Sequence, residues 1–282
     1  MTKKRKPPVN KLNDLTAKEW IVETISVWNQ KGLGRNHPDT KIEKEHPAPF
    51  SFTDVSRLIK FFSKEGGVIL DPFVGIGSTL KACVLTKRKG VGIELNGKYV
   101  ELTEKRLKNE LKDSSDNSRQ QIIHGDANKE LDKIKNDSID FIVTSPPYWN
   151  ILNKKDHKAK QERINKGRDT KYSDDKKDLG NIDSYSEFLD KLIQIFVKCS
   201  KVLKRDAYMA VIVSDFREKS RYIMFHSDLA NKLEEVGYVL KGITVLYQRH
   251  KRIFPYGYPY SYVPNIHNQY ILIVQNKKNE EK

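Results

Sequence analysis

Four short apolar runs alternate with helix-like segments through the middle of this chain, and each run ends in residues with chemistry of their own. Val68–Leu70 ends at Asp71, and Gly90–Leu95 carries Glu94 at its end. Ile122–Ile123 leads into His124-Gly125-Asp126, and Ile139–Val143 leads into Thr144-Ser145. Ser78–Leu85 and Tyr99–Leu111 read as helices between them. Runs this short, separated by helices, build βαβ units, so an α/β fold with a mostly parallel sheet and helices on both faces is expected. In such sheets ligands bind beyond the carboxyl ends of the strands, which is where these polar residues fall.

The flanking regions follow the same pattern less strictly. Ser51–Ser63 reads as a helix because Val55, Leu58, Ile59 and Phe62 recur at helical spacing. A short helix is expected around Thr16–Gln30. Beyond the fourth run come a helix over Ser186–Val202, a strand over Tyr208–Val213 and a helix near Phe225–Val236. Two late strands, Tyr238–Tyr247 and Gln269–Val274, flank the aromatic segment Arg249–Tyr262. Asn150–Asp183 breaks the rhythm, being nearly devoid of apolar residues after Leu152.

At 282 residues, with 37% hydrophobic and 32% charged, the chain can bury one large core. Its net charge of +15 favours a polyanionic partner. No run approaches the roughly 20 apolar residues that span a bilayer. The basic start Met-Thr-Lys-Lys-Arg-Lys-Pro-Pro has no apolar stretch behind it, so a signal peptide is not expected. Cys83 and Cys199 fall inside helices and form no Cys-x-x-Cys pair, as in a protein of a reducing compartment. The seven histidines make no His-Glu-x-x-His pattern, and no metal site is expected.

The loop Asp71-Pro72-Phe73-Val74-Gly75-Ile76-Gly77 follows the first strand and opens a helix. Glycines there let a ligand approach the backbone without a Cβ in the way. Glu94 at the next strand end can accept from ribose hydroxyls. Leu80 replaces the third glycine of the dinucleotide fingerprint, and no Gly-Lys-Ser/Thr follows, so neither a pyrophosphate nor a P-loop site is supported. A nucleoside without pyrophosphate fits better. S-adenosylmethionine has the matching parts: Asp71 to orient its ammonium, Glu94 for ribose, and Asp126 to accept from the adenine amino group.

Residues 144–149 read Thr-Ser-Pro-Pro-Tyr-Trp. Two prolines stiffen the backbone and remove two donors, leaving the Pro146 carbonyl turned outward. Ser145 Oγ and that carbonyl can accept from the two N–H groups of an exocyclic amine, localising its lone pair for attack on a methyl group. Tyr148 supplies a flat face for an extruded base, with stacking worth about 1–3 kcal/mol. No Gly-x-Ser-x-Gly elbow surrounds Ser145, which disfavours a serine nucleophile.

With both loops in hand the chain resembles the amino-methylating DNA methyltransferases, whose cofactor signature corresponds to Asp71–Ser78 and whose catalytic signature corresponds to Ser145-Pro146-Pro147-Tyr148. The resemblance implies the class I S-adenosylmethionine-dependent fold, a seven-stranded sheet with a reversed last strand. It implies cofactor contacts from His46, Asp71, Phe73, Gly75, Gly77, Glu94, Asp126 and Ala127, with His46-Pro47-Ala48-Pro49-Phe50-Ser51 lining the methionine end. Residues 1–45 are then a basic extension and 46–282 the methyltransferase domain. The family's usual Gly-Gly turn after Val202-Leu203-Lys204 is Arg205-Asp206 here.

Ser before Pro-Pro-Tyr points to cytosine N4 as the methylated atom. Adenine N6 is the alternative, and RNA or protein substrates are less favoured. Neither cysteine follows proline, which disfavours ring-carbon methylation. The implied partner is double-stranded DNA, whose target base must be flipped out. Candidate DNA contacts are Lys154, Lys155, Arg163 and Arg168 in the basic insertion 150–183, and Arg249, Lys251 and Arg252 in the loop 248–268. The resemblance further implies a prokaryotic, cytoplasmic, nucleoid-associated monomer or homodimer. It would belong to a restriction-modification system, with any cognate endonuclease not held in a stable complex.

Overall fold

The computed structural model describes residues 9–30, 33, 37, 39–43, 45–46, 51–110, 119–153, 164–165, 169–173 and 175–277. Helix α1, Ala17–Glu23, begins with a reciprocal cap in which Thr16 accepts from the Glu19 amide and the Glu19 carboxylate accepts from the Thr16 amide. The helix expected over Thr16–Gln30 stops there, and Val27–Asn29 is instead a strand, β1. The reason is Trp28. Its ring is buried among Val55, Leu58 and Ile59, with the Arg57 guanidinium 3.6 Å above it, while Val27 and Asn29 stay exposed. That alternation belongs to a strand.

The remaining order is α2 (Asp39–Glu43), α3 (Phe52–Phe62), β2 (Val68–Asp71), α4 (Ser78–Leu85), β3 (Lys89–Glu94), α5 (Gly97–Glu110) and β4 (Gln120–His124). After it come α6 (Ala127–Glu130), β5 (Ile139–Thr144), α7 (Tyr185–Val202), β6 (Leu203–Val213) and the hairpin strands β7 (Phe216–Glu218) and β8 (Arg221–Ile223). The chain ends with α8 (Phe225–Glu235), β9 (Tyr238–Tyr247) and β10 (Asn268–Asn276). The sheet runs β1-β9-β10-β6-β5-β2-β3-β4. All neighbours are parallel except β10, which is antiparallel to both β6 and β9. The expected seven strands and the reversed last strand are all present, and β1 adds an eighth at the edge beside β9. Among the described residues no helix is long and apolar enough to cross a membrane.

Successive residues of the central strands serve opposite faces. Ile69, Phe141, Val143, Ala210 and Ile212 pack under α3 and α4, with Val55, Leu58, Ile59, Ala82 and Cys83. Leu70, Ile142, Met209 and Val211 face α7 and α8, meeting Phe188, Leu192, Phe196 and Leu229. Burial on both faces is what makes these strands read as unbroken apolar runs. At the start of β6, Asp206 takes the left-handed conformation (φ 62°) where the family places glycine. Asp tolerates that region better than most residues, so the substitution is absorbed in the turn.

The five parallel strands β4, β3, β2, β5 and β6 end at one edge, which gathers Asp126, Glu94, Asp71, Thr144 and Ser145 there. Gly77 is fixed at that edge by two constraints. Its φ is +78°, and a Cβ would come within 2.5 Å of Thr103 Cγ2 on α5. Gly77→Ala is expected to lower unfolding free energy by at least about 1–3 kcal/mol, the cost of a left-handed non-glycine residue. Gly242→Ala, where nothing lies within 4 Å, is the control. Urea midpoints for the two variants check the difference.

Candidate active site

The glycine loop is held from beneath by α5. Thr103 Oγ1 donates to the Gly75 carbonyl (3.1 Å), and Arg106 Nη1 donates to the Ile76 carbonyl (3.0 Å). Arg106 is fully buried and also pairs with the buried Asp39 (2.6 Å), which Lys81 Nζ meets at the same distance. Gly75 presents its amide to Glu94 Oε2 at 2.9 Å, and the Asn96 amide meets Glu94 Oε1 at 2.8 Å. Each carboxylate oxygen therefore takes one backbone N–H and keeps a lone pair for a further donor. Burial raises the Glu94 carboxyl to about 7 against the opposing pull of those two amides.

One cavity collects most of the catalytic and cofactor residues expected from the sequence. Its wall includes His46, Phe73, Gly75, Glu94, Asp126, Ala127, Ser145 and Pro147. Asp126 also caps α6, accepting from the Asn128 amide at 2.9 Å. His46 packs against Tyr99 and Tyr172, with ring centroids 4.8 and 5.7 Å away. A Cβ on Gly75 would meet His46 Nε2 at 3.3 Å, so this glycine lets the imidazole sit against the loop. Pro47–Phe50 lie outside the described residues.

Two expected cofactor contacts have a different placement. Asp71 is fully buried and does not line the cavity. Its Oδ1 accepts from Thr144 Oγ1 (2.6 Å) and the Phe73 amide (3.0 Å), and its Oδ2 accepts from Thr79 Oγ1 (2.5 Å). It ties the glycine loop, α4 and the last residue of β5 together. Gly77 is likewise off the wall, and its missing Cβ serves helix packing. Sequence spacing could not separate a loop that touches a ligand from the bonds that brace that loop.

The Ser-Pro-Pro-Tyr loop leaves β5 directly. Ser145 is half-buried, and its Oγ lies 3.2 Å from the Tyr148 hydroxyl, which also accepts from Gln269 Nε2 (3.0 Å). Pro146 is buried and lies off the cavity wall. Trp149 is a buttress: it sits buried against Tyr185 and Phe216, with φ at 46°.

Sequence reasoning missed one part of the wall. Tyr172, Ser173, Lys177, Asp178 and Leu179 come from the end of the basic insertion and line the cavity together with Glu94 and Asn96. Asn96 Nδ2 donates to the Tyr172 carbonyl (2.6 Å), while Asp178 caps the turn Leu179–Asn181. Tyr172, Leu179 and Ile182 interrupt a largely polar run and are the signal that this stretch packs.

The expected DNA contacts Lys154, Lys155, Arg163 and Arg168 lie outside the described residues. Arg249, Lys251 and Arg252 are exposed. Lys251 and Arg252 line a surface cleft with Arg217 of β7, Phe254, Tyr256 and Asn265. Arg217 was not singled out in the sequence, because only the fold brings the β7–β8 hairpin beside that loop. Tyr258, Tyr260 and Tyr262 project beyond it at 81%, 93% and 90% exposure.

The DNA methylase family model of the N6/N4 type matches residues 2–105 and 139–282. The chain belongs to this family. Among curated relatives, the type II methyltransferase M.HpaI of Haemophilus parainfluenzae is 31% identical over 139 residues, 48% of this chain and 41% of that protein. M.ScaI of Streptomyces caespitosus, also a type II methyltransferase, is 42% identical over 85 residues, 30% and 28% of the two chains. The chain thus spans under half the length of the curated relatives it matches. In fold it is similar to an S-adenosylmethionine-dependent O-methyltransferase from Thermotoga maritima, with TM-score 0.50, 14% identity, and coverage of 86% of this chain and 72% of that one. S-adenosylmethionine is the methyl donor of this family.

Asp71 yields a test of the brace. Burial raises its carboxyl from 3.8 to about 6 despite three hydrogen bonds. The folded state therefore holds the proton more tightly than the unfolded chain. This group favours folding below pH 4, and that contribution fades as pH rises through 6. The stability of the wild type relative to Asp71→Asn should fall between pH 4 and 6 in urea titrations. A difference that is flat or rises would contradict the assignment.

Proposed function

We propose that this chain transfers the methyl group of S-adenosylmethionine to the exocyclic amine of a base in duplex DNA. Cytosine N4 is the favoured target and adenine N6 the alternative. The observation that carries the reading is that Ser145 and Pro147 stand on the same cavity wall as Gly75, Glu94 and Asp126. The reacting amine and the cofactor would thus share one enclosed space.

The wall's chemistry fits an adenosine-bearing cofactor. Glu94 offers spare lone pairs on both oxygens to ribose hydroxyls. Asp126, with only one oxygen used in capping α6, suits the adenine amino group. Phe73, Leu95, Ala127 and Leu179 supply apolar contact for the purine, and His46 closes the methionine end. When bound, the cofactor supplies an electrophilic methyl on a sulfonium. Ser145 Oγ, on the cavity wall, accepts from one N–H of the target amine, which favours a tetrahedral nitrogen with its lone pair exposed. Transfer would break the sulfonium S–C bond as the N–C bond forms, leaving a thioether, and the surplus amine proton would pass to water, because a serine hydroxyl is too weakly basic to keep it. Tyr148 lies off the cavity wall with its ring in edge contact with Phe225, so its part in the site runs through the hydroxyl that meets Ser145.

The duplex is supported by the +15 charge and by the cleft of Arg217, Lys251 and Arg252, whose wall contains no carboxylate among the described residues. Ser145 as the first residue of the catalytic signature favours cytosine. A restriction-modification setting is in keeping with the type II relatives.

Incubation with labelled S-adenosylmethionine and mixed-sequence duplex DNA should yield N4-methylcytosine on nucleoside mass spectrometry. N6-methyladenine would select the alternative base, and neither product would sink the reading. Cofactor affinity should weaken as pH falls below about 7, because protonating Glu94 removes an acceptor for ribose. Between pH 7 and 5.5 a ligand amine of ordinary pKa, about 8, stays charged, while the Asp71 carboxyl at about 6 falls in the same window, so the Glu94 share is read by difference from a Glu94 variant. Glu94→Gln should bind more weakly with a shallower profile that lacks the step near 7, as read by calorimetry. Lys251→Ala and Arg252→Ala should each lower DNA affinity and reduce the slope of log K against log salt by about 0.9 if each neutralises one phosphate.

A further inference from the structure

We propose that Gln269, Gln248 and Gln30 form a directional relay of side-chain amides that aims the Tyr148 hydroxyl proton at Ser145, making all three positioning residues for methyl transfer. The inference rests on the role proposed above for Ser145. The chain of contacts is continuous. Gln30 Nε2 donates to Asp54 Oδ2 at 3.1 Å, and Gln248 Nε2 donates to Gln30 Oε1 at 2.8 Å. The same Gln248 nitrogen donates to Gln269 Oε1 at 3.1 Å, and Gln269 Nε2 donates to the Tyr148 hydroxyl at 3.0 Å. Tyr148 in turn stands 3.2 Å from Ser145 Oγ.

The direction follows from one end. Burial raises the Asp54 carboxyl, while the Gln30 bond and the nearby Arg57 favour its ionised form; that form can only accept, so Asp54 fixes the Gln30 nitrogen toward itself and turns the Gln30 oxygen to Gln248. Gln248 then faces two oxygens, one from Gln30 and one from Gln269, and its two N–H groups satisfy both. With its oxygen taken, Gln269 presents nitrogen to Tyr148. The tyrosine oxygen accepts, and its single proton is left for Ser145. Ser145 Oγ keeps a lone pair for the target amine and cannot rotate freely.

The cost of this arrangement is visible. Gln248 Oε1 is buried without a hydrogen-bond partner among the described residues. Turning that amide over would set its oxygen against two other oxygens, so the fork is retained at the expense of one acceptor. Unsatisfied buried acceptors are rare enough to call for a reason. The backbone keeps the members in register, since the Gln30 amide bonds to the Tyr247 carbonyl (2.9 Å) and the Gln248 amide to the His267 carbonyl (2.7 Å). The edge strand β1 thereby joins the N-terminal segment to the catalytic loop.

A double-mutant cycle tests the relay. Tyr148→Phe and Gln269→Leu should each slow single-turnover methyl transfer by between about 10- and 100-fold, the scale of a small misplacement at the reacting atoms. The double variant should be no slower than Tyr148→Phe alone, with cofactor affinity and melting temperature near wild type. Gln30→Leu, remote from the cavity, should slow the same step with the same unchanged affinity. Multiplying effects in the double variant, or a Gln30→Leu enzyme with wild-type rate, would overturn the proposal. A second readout is independent of activity. The side-chain amide resonances of Gln269 and Gln248 should shift in Tyr148→Phe, and unmoved resonances would refute the relay. If the wild type transfers no methyl group to DNA, the functional reading fails on its own, while the resonances still decide the network.

Discussion

The buried carboxylate of Asp71 is the interaction on which the rest of the site depends. Its acceptors take the hydroxyls of Thr79 and Thr144 and the amide of Phe73, joining three elements at the centre of the sheet edge. Thr144 is the residue before Ser145, so the position of the Ser-Pro-Pro-Tyr loop is referred directly to the start of the glycine loop. Burial works against the ionised carboxyl, and its hydrogen bonds only partly offset that. Keeping such a group at the sheet centre is expensive in stability, and the return is that two loops far apart in sequence share one frame.

The second constraint is the reversal of β10. A parallel strand in that slot would present its carboxyl end to the site. The antiparallel strand presents its amino end, and Gln269 sits there within reach of Tyr148. The connection from β9 to β10 must then turn over the same edge. That is why the loop with Lys251, Arg252 and its exposed tyrosines stands beside the cavity side of the sheet. The β7–β8 hairpin fills the neighbouring position and brings Arg217 to the same cleft.

Much of this was legible because parallel strands are buried on both faces. Ile69-Leu70 and Phe141-Ile142-Val143 cannot be anything but apolar, and the first polar residue after each marks the edge where ligands bind. Helix α4 begins and ends at Ser78 and Leu85 as the pattern indicates, and β9 likewise spans Tyr238–Tyr247. Val27–Asn29 was hidden because three residues carry no periodicity, and one buried Trp decides them. Tyr172 and Leu179 were hidden by a polar neighbourhood whose charge outweighed a few apolar residues that pack.

By itself the sequence determined the alternating architecture, the strand ends that carry Glu94, Asp126 and Ser145, and the family to which these motifs point. Those features are local, each set by a short run of side chains and the turn that follows it. Only the tertiary structure decided that Asp71 braces the loop and does not line the cavity, and that Gly77 yields space to Thr103. It also decided that an amide chain from Gln30 reaches Tyr148. The reason is physical: hydrogen-bond partners and close approaches join residues from different strands and helices, and no spacing along the chain encodes which of them will meet.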